Sequence, residues 1–396
     1  MLGILEIKVI MLQEVFTHID LYLLGALALV ILYQCYFYLR YMTGVNRWLR
    51  KHKTTPPIAD ADLPKVSVIV CARNEQTNLS NYLHTLLHQD YPCYEVIVVN
   101  DGSEDNTQFL LERYAAQYTN LYITFVPQGA RVISSKKLAL TIGVKAANYD
   151  HILLTDADCR PESRHWIREM MSGFVHGEQQ TEVVLGYGAY FQENTVLNSI
   201  IHYDTLFIGL QYLGMAAAKH PYMGVGRNLA YKKETFFKHN GFQGMLHEQA
   251  GDDDLFVNKV TTRRNTTIVC SRNSITWSEP KHTWHDWLHQ KRRHLSVSHN
   301  YKIGSKLLLG IEPMTRGLFY ALLIVISIWG SGIAMCVALV LWWLRLIMQM
   351  SIINTSAHKL GGRLFGIEIV AYDIVLPLIT SWILITQHWR KRPIYW

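Results

Sequence analysis

The sequence predicts an α/β domain with a mainly parallel sheet, held between apolar helices at the two ends of the chain. Three observations carry this. Charge is unevenly placed: only 17% of the 396 residues are charged, and residues 21–39 and 317–344 carry no charge at all. Between those ends, short β-branched runs alternate with helical patterns at the spacing of βαβ units. Polar clusters then fall at the carboxyl ends of the predicted strands, where parallel sheets gather their ligands. With 49% apolar residues, this excludes an ordinary soluble enzyme, a disordered chain and a disulfide scaffold. It also excludes a bundle made only of spans, because the long middle can bury its own core.

The first apolar segment, Leu21 to Leu39, is about 28 Å long as a helix, enough for the ~30 Å hydrocarbon layer. Cys35-Tyr-Phe-Tyr-Leu-Arg40 follows where a signal peptide would need small residues, so the segment predicts an anchor. Arg40, Arg47, Arg50, Lys51 and Lys53 come next and place the following domain on the cytoplasmic side. Much of the net charge of +7 lies in such flanks, which points to anionic lipid rather than nucleic acid. The six cysteines form no C-x-x-C pair and fit buried thiols in a reducing compartment.

Residues 1–40 are thus the anchor, and 41–64 a basic juxtamembrane segment ending in the linker TTPPIADADLP. The α/β domain is expected over 65–280. It opens with a strand at Val66–Cys71, a helix at Leu79–Leu87 and a strand at Glu95–Val99. A helix capped within Ser103–Asn106 runs to Tyr118, a third strand covers Leu121–Val126, a helix Leu138–Ala147 and a fourth strand His151–Thr155. Residues 281–312 predict an interfacial amphipathic helix, with Trp284, Trp287, Leu288 and Leu295 along one side at headgroup depth. Residues 313–396 predict two or three spans. The turn residues Trp329-Gly330-Ser331-Gly332 favour three, and the terminal Arg390-Lys391-Arg392 favours two. Asp373, near a span end, is expected at a membrane interface, with a buried polar contact as the competing reading.

The polar clusters carry the chemistry. Asp156 and Asp158 flank one small residue at a strand end, and two such carboxylates can share one hard cation, Mg²⁺ or Mn²⁺. A plain surface turn is the competing reading. Asp101, in VNDGS, can accept from a base or ribose, or cap the next helix. Lys136 and Lys137 open a helix where a lysine meets phosphate or only water. Asp252-Asp253-Asp254 reads either as a helix cap or as the source of a general base. No dinucleotide fingerprint or P-loop is present.

Taken together and in this order, the clusters resemble the membrane-bound family 2 glycosyltransferases, relatives of cellulose, chitin and hyaluronan synthases and of ceramide glucosyltransferase. The resemblance covers Val66 to Ser298 and implies a GT-A fold, a Rossmann-like domain flanked by transmembrane helices. It implies that Glu75, in SVIVCARNE, and Asp101 hold the nucleotide, with Lys136, Asp156, Arg292 and Arg293 also on the donor. It implies metal at Asp158 and Asp156, and a catalytic base at Asp252 in the segment GDDDL, where Gly251 replaces the usual glutamate. Gln290, Arg293 and His294 match the Q-x-x-R-W element, with histidine in place of tryptophan, and Arg227 and Asn228 in GVGRNLAY line the acceptor side. The implied reaction is inverting transfer from a nucleotide-diphosphate sugar, UDP being expected, to a lipid-linked or glycan acceptor at the membrane. The two departures favour single transfer over a polymerising and translocating synthase. An inactive nucleotide-sugar-binding scaffold is the third reading.

Overall fold

The computed structural model describes residues 18–53, 56, 58–127, 135–177, 180–246, 248 and 250–389. Residues 1–17 of the predicted anchor, three positions of the linker and the basic stretch 390–392 lie outside the described residues.

The chain begins with helix α1 (His18–Phe37), a π-helical turn at Tyr38–Met42 and α2 (Gly44–Lys51). The α/β part then follows: β1 (Val66–Ala72), α3 (Gln76–Leu87), β2 (Tyr94–Asn100), α4 (Thr107–Ala115), β3 (Leu121–Phe125), α5 (Ser135–Ala146) and β4 (His151–Asp156). The predicted elements are all present; α4 stops three residues short of Tyr118, and Asn106 at its start makes no side-chain cap. Next come β5 (Cys159–Pro161), α6 (Trp166–Val175), β6 (Val183–Leu185), β7 (Gly188–Tyr190) and the long α7 (Val196–Ala217). After them come β8 (Leu229–Lys232), α8 (Lys233–Lys238), α9 (Asp254–Val260), β9 (Thr266–Ile268), β10 (Thr276–Ser278) and α10 (Trp284–Leu295). The chain closes with α11 (Ile303–Trp329), α12 (Gly332–Lys359) and α13 (Glu368–Trp389).

Seven strands form one sheet in the order β3-β2-β1-β4-β8-β6-β9. β1 pairs in parallel with β2 and β4, and β8 runs antiparallel between β4 and β6. A second sheet, β5-β10-β7, lies beside it. Because strand side chains alternate between faces, β1 and β2 divide cleanly. Val68, Val70, Val96 and Val98 pack with Leu79, Leu83, Leu111 and Trp166 on one face. Ile69, Ile97 and Val99 pack on the other, in a core that also holds most of α7.

Four helical stretches, 18–51, 303–329, 332–359 and 368–386, are long and apolar enough to cross a membrane. Leu29, Leu32, Ile324, Ile328, Val340, Leu344, Leu378 and Ile385 leave an exposed apolar belt around them. The turn between α11 and α12 is fixed at two points: the Ser331 hydroxyl accepts from Ala334 N, and Asp20 Oδ1 accepts from Ser331 N at 3.0 Å. Gly44 and Gly214 let α2 and α7 touch backbone to backbone; a Cβ on Gly214 would stand 1.9 Å from the Tyr41 carbonyl oxygen.

Asp373 is a buried polar contact. It is buried among the apolar helices, 3.4 Å from Arg316 Nη1 and 2.9 Å from Arg345 Nη2, with Tyr320 donating at 2.8 Å. Glu312 pairs with Arg316 one turn away, so the cluster holds two acids and two guanidinium groups. The sequence shows Asp373 only as a lone charge near a helix start, and its partners lie on other helices.

α10 also departs from expectation. Trp287 is 4% exposed and part of the domain core, and the basic Lys291 one turn on is 9% exposed. Trp284 alone of the two tryptophans is exposed. The helix is therefore packed into the protein along its Trp287–Lys291 line, with Trp284 left on its exposed side.

Candidate active site

The site is built where β1, β2 and β4 end. At the end of β2, Asp101 is 5% exposed; its backbone N–H donates to the Ala72 carbonyl, and its Oδ2 is buried with no hydrogen-bond partner among the described residues. A buried carboxylate oxygen without a donor is costly unless a ligand supplies one. After β1, Glu75 stands at the head of α3 and accepts from Asn78 Nδ2 at 2.6 Å. Burial raises the Glu75 carboxyl, and the nearby Asp158 and Asp156 charges raise it further, partly offset by the Asn78 hydrogen bond.

β4 ends in Asp156, and oxygens of Asp156 and Asp158 lie with Cys159 Sγ within 4.8 Å of one another. Burial and the Asp156 charge push the Asp158 carboxyl up. Burial and the two aspartates push the Cys159 thiol well above its ordinary range, and its sulfur is 3.0 Å from Ser278 Oγ. A buried neutral thiol is a poor ligand, so the usable donors are two hard carboxylates that repel each other. This set fits Mg²⁺ or Mn²⁺ and not a thiolate-bound metal.

Lys136, in the first turn of α5, joins this pair to the acidic triplet. Its Nζ lies 3.0 Å from Asp156 and 3.3 Å from Asp252. Burial works against the ammonium, but the surrounding aspartates outweigh it and hold it protonated. Burial likewise raises Asp252, yet Lys136, a backbone hydrogen bond and Lys137 together outweigh it, and the carboxyl sits below the usual range. Lys137 is fully buried and donates to the Glu248 and Ala250 carbonyls, so it braces the loop before the triplet.

The three aspartates serve three different partners. Asp253 caps α9, accepting from Asp254 N at 2.8 Å, and also accepts from Gly226 N at 2.7 Å. Asp254 accepts from Tyr301 OH at 2.7 Å, and burial beside Asp253 pushes its carboxyl up to about 8. Asp252 alone faces Lys136. Gly251 has φ +86°, and a Cβ there would lie 2.6 Å from Leu255 Cδ1, so this backbone does not take the glutamate usual at that position.

His294 stands on the exposed side of α10 within the field of Arg293, Arg227, Asp252 and Lys136. Gln290 donates to Tyr190 OH at 3.1 Å, and the Arg227 guanidinium lies 4.2 Å over the Tyr190 ring. Arg227 also donates to the carbonyls of Ala189 and Gly188, which fixes it at the site's edge. Gln290, Arg227 and His294 are thus brought together.

Two expected residues are placed elsewhere. Arg292 lies 4.9 Å over the Trp382 ring of α13, because adjacent helical residues diverge by about 100° and Arg292 and Arg293 cannot share one direction. Asn228 is wholly buried; it accepts from Trp166 Nε1 and donates to the Tyr187 and Ser274 carbonyls, so its amide fastens the core under the site rather than lining it. Sequence reasoning missed Tyr190. Its only signal was an aromatic at a strand end.

Residues 67–248 match the model of the Glycosyl transferase family 2. Residues 67–248 are a Glycosyl transferase family 2 domain. The chain is similar to the probable glycosyltransferase YdaM of Bacillus subtilis, 25% identical over 265 residues that make up 65% of this chain and 58% of that one. It is also similar to the poly-beta-1,6-N-acetyl-D-glucosamine synthase of Staphylococcus aureus, 33% identical over 26% of this chain and 24% of that one. The chain thus spans little more than half the length of the first relative and about a quarter of the second. Among solved structures, the mannosyltransferase PcManGT of Pyrobaculum calidifontis superposes with a TM-score of 0.55 at 20% identity, over 92% of this chain and 98% of that one. The family 2 domain therefore has the GT-A fold.

Proposed function

We propose that this protein is a membrane-bound inverting glycosyltransferase that moves one sugar from a nucleotide-diphosphate donor to a lipid-linked or glycan acceptor. The observation that carries the reading is the position of Lys136, whose single ammonium pairs with a β4-end aspartate and with Asp252. It joins the candidate metal carboxylates to the candidate base. Asp101, with its unpartnered buried oxygen, supports recognition of the nucleoside, and Glu75 borders the same cleft.

In this reading Asp252, held ionised by Lys136, takes the proton of the acceptor hydroxyl. The acceptor oxygen then bonds to the anomeric carbon as the bond to the diphosphate breaks on the opposite face, which inverts the centre. A divalent ion held by Asp158 and Asp156 would supply positive charge to the departing diphosphate. Arg293, with Lys136, adds charge on the same side. PcManGT was solved in complex with GDP-Man and Mn²⁺, which supports a nucleotide-sugar donor and a divalent ion here. The four apolar helices and the basic residues after α1 support residence in a membrane with the domain on the cytoplasmic side.

A second reading, a polymerising synthase, is favoured by the synthase relative. One experiment separates them. Membranes containing the protein are incubated with labelled UDP- and GDP-sugars and Mn²⁺ or Mg²⁺. Label in a lipid extract supports single transfer; long labelled chains inside sealed vesicles support the synthase. No incorporation beyond the Asp252→Asn level from any donor would sink both.

A further inference from the structure

Helix α7 joins the apolar bundle to the active-site helix. Near its carboxyl end, Gly214 rests on the backbone of the α1–α2 junction. Near its start, Ser199 accepts from Tyr372 of α13 at 2.7 Å. Between them, the Tyr203 hydroxyl accepts at 3.1 Å from Gln349 of α12, whose Nε2 also donates to Asp373 at 2.9 Å. Tyr203 therefore touches the buried charge cluster of the bundle. The very next residue, Asp204, points to α10: its two carboxylate oxygens receive Lys291 Nζ at 2.8 and 2.7 Å. Lys291 lies between Gln290 and the Arg293-His294 pair on that helix.

This ion pair is largely out of water, with side-chain exposures of 9% for Lys291 and 16% for Asp204. Two apolar side chains of similar volume would fill the place with at least equal stability, because buried charges must first be desolvated. What an apolar pair lacks is direction. A lysine gripped by both oxygens sets the rotation and height of α10, and with them where Gln290, Arg293 and His294 reach.

We propose that Asp204 and Lys291 are positioning residues, a tether by which α7 transmits the packing of the membrane bundle to the reactive face of α10. The inference rests on the reading of α10 as part of the donor-binding machinery.

The test uses the full chain in detergent or nanodiscs and compares the parent with Asp204→Leu/Lys291→Met. Three quantities are measured: thermal midpoint, amide hydrogen exchange over residues 284–295, and affinity for UDP with Mn²⁺. A tether predicts a nearly unchanged midpoint, exchange over α10 about tenfold faster, and UDP–Mn²⁺ binding about tenfold weaker. Lys291→Arg, which keeps the pair, should restore both. Unchanged exchange and affinity in the double variant would overturn the tether. If the double variant does not accumulate, the nearly isosteric Asp204→Asn carries the same comparison. Arg293→Ala separates the two claims: if it leaves UDP–Mn²⁺ affinity unaltered, the donor role of α10 fails, while the exchange measurement still decides the tether.

Discussion

Asp252 Oδ2 lies 3.3 Å from the Lys136 ammonium, which holds Asp156 at 3.0 Å with the same nitrogen. One cation therefore balances two carboxylates from separate segments of the chain, one at the end of β4 and one just before α9.

Removal of the base isolates its part. Asp252→Asn keeps the shape and loses the proton acceptor, so transfer should fall by about 10²–10⁴-fold while donor affinity stays near that of the parent. Single-turnover transfer and equilibrium donor binding, measured on the same preparation, check this. Full activity would remove Asp252 from the mechanism.

Removal of the cation has a different signature. Lys136→Met leaves Asp156, Asp158 and Asp252 facing one another without the ammonium, a cost of about 2 kcal/mol after allowance for partial exposure. The thermal midpoint should drop. Millimolar Mn²⁺ should then raise it more in the variant than in the parent, since the ion replaces the missing charge.

Asp158→Ala should abolish the dependence of UDP binding on Mn²⁺ and leave only weak, metal-independent binding. Titration of UDP with and without Mn²⁺ reads this directly. Metal dependence that persists would move the ion elsewhere.

Stability should fall in mild acid through His151. Burial, with Lys232 nearby, lowers its imidazole to about 4, against an ordinary value of about 6.5 in the unfolded chain. The unfolded state thus takes up a proton first as pH falls. The contribution is fully present above about pH 6.5 and is lost progressively down to about pH 4, on the order of 2 kcal/mol after discount for partial exposure. Midpoints measured from pH 7 to 4 should slope less in His151→Phe than in the parent.

The contact of α2 with α7 should be intolerant of one methyl group. Gly214→Ala brings a Cβ onto the Tyr41 carbonyl and should cost about 1–3 kcal/mol through forced separation of the helices. Gly25, with nothing within 4 Å, provides the control: Gly25→Ala should change the midpoint little.

The sheet was legible because β-branched runs and polar strand ends report neighbours along the chain. The same locality made Asp156 and Asp158 readable as a pair, and gave Asp101 and Glu75 their strand-end positions. What the sequence concealed depends on contacts across the fold. Nothing near Asp373 announces Arg316 and Arg345, so an interface was the natural expectation. Arg292 and Arg293 look alike in sequence and part company only through the turn of α10. Asn228 reads as a polar residue beside a candidate arginine, yet three distant partners claim its amide. Lys291 reads as one basic residue among three, and only Asp204 distinguishes it.

The charge cluster of the apolar bundle has a bearing on how the chain is made. Glu312 and Arg316 sit one turn apart on α11 and neutralise each other as soon as that helix forms. Arg345 on α12 and Asp373 on α13 have no counter-charge from Asp, Glu, Lys or Arg within their own helices, and in a helix that crosses a membrane a lone charge near mid-span, as Arg345 is, would oppose insertion by about 2.5–3.5 kcal/mol. In a membrane, α12 would therefore emerge with a cation whose ion-pair partner among the described residues lies on the later α13. Release of these two helices into lipid as a pair, rather than one by one, is the order of insertion this arrangement favours.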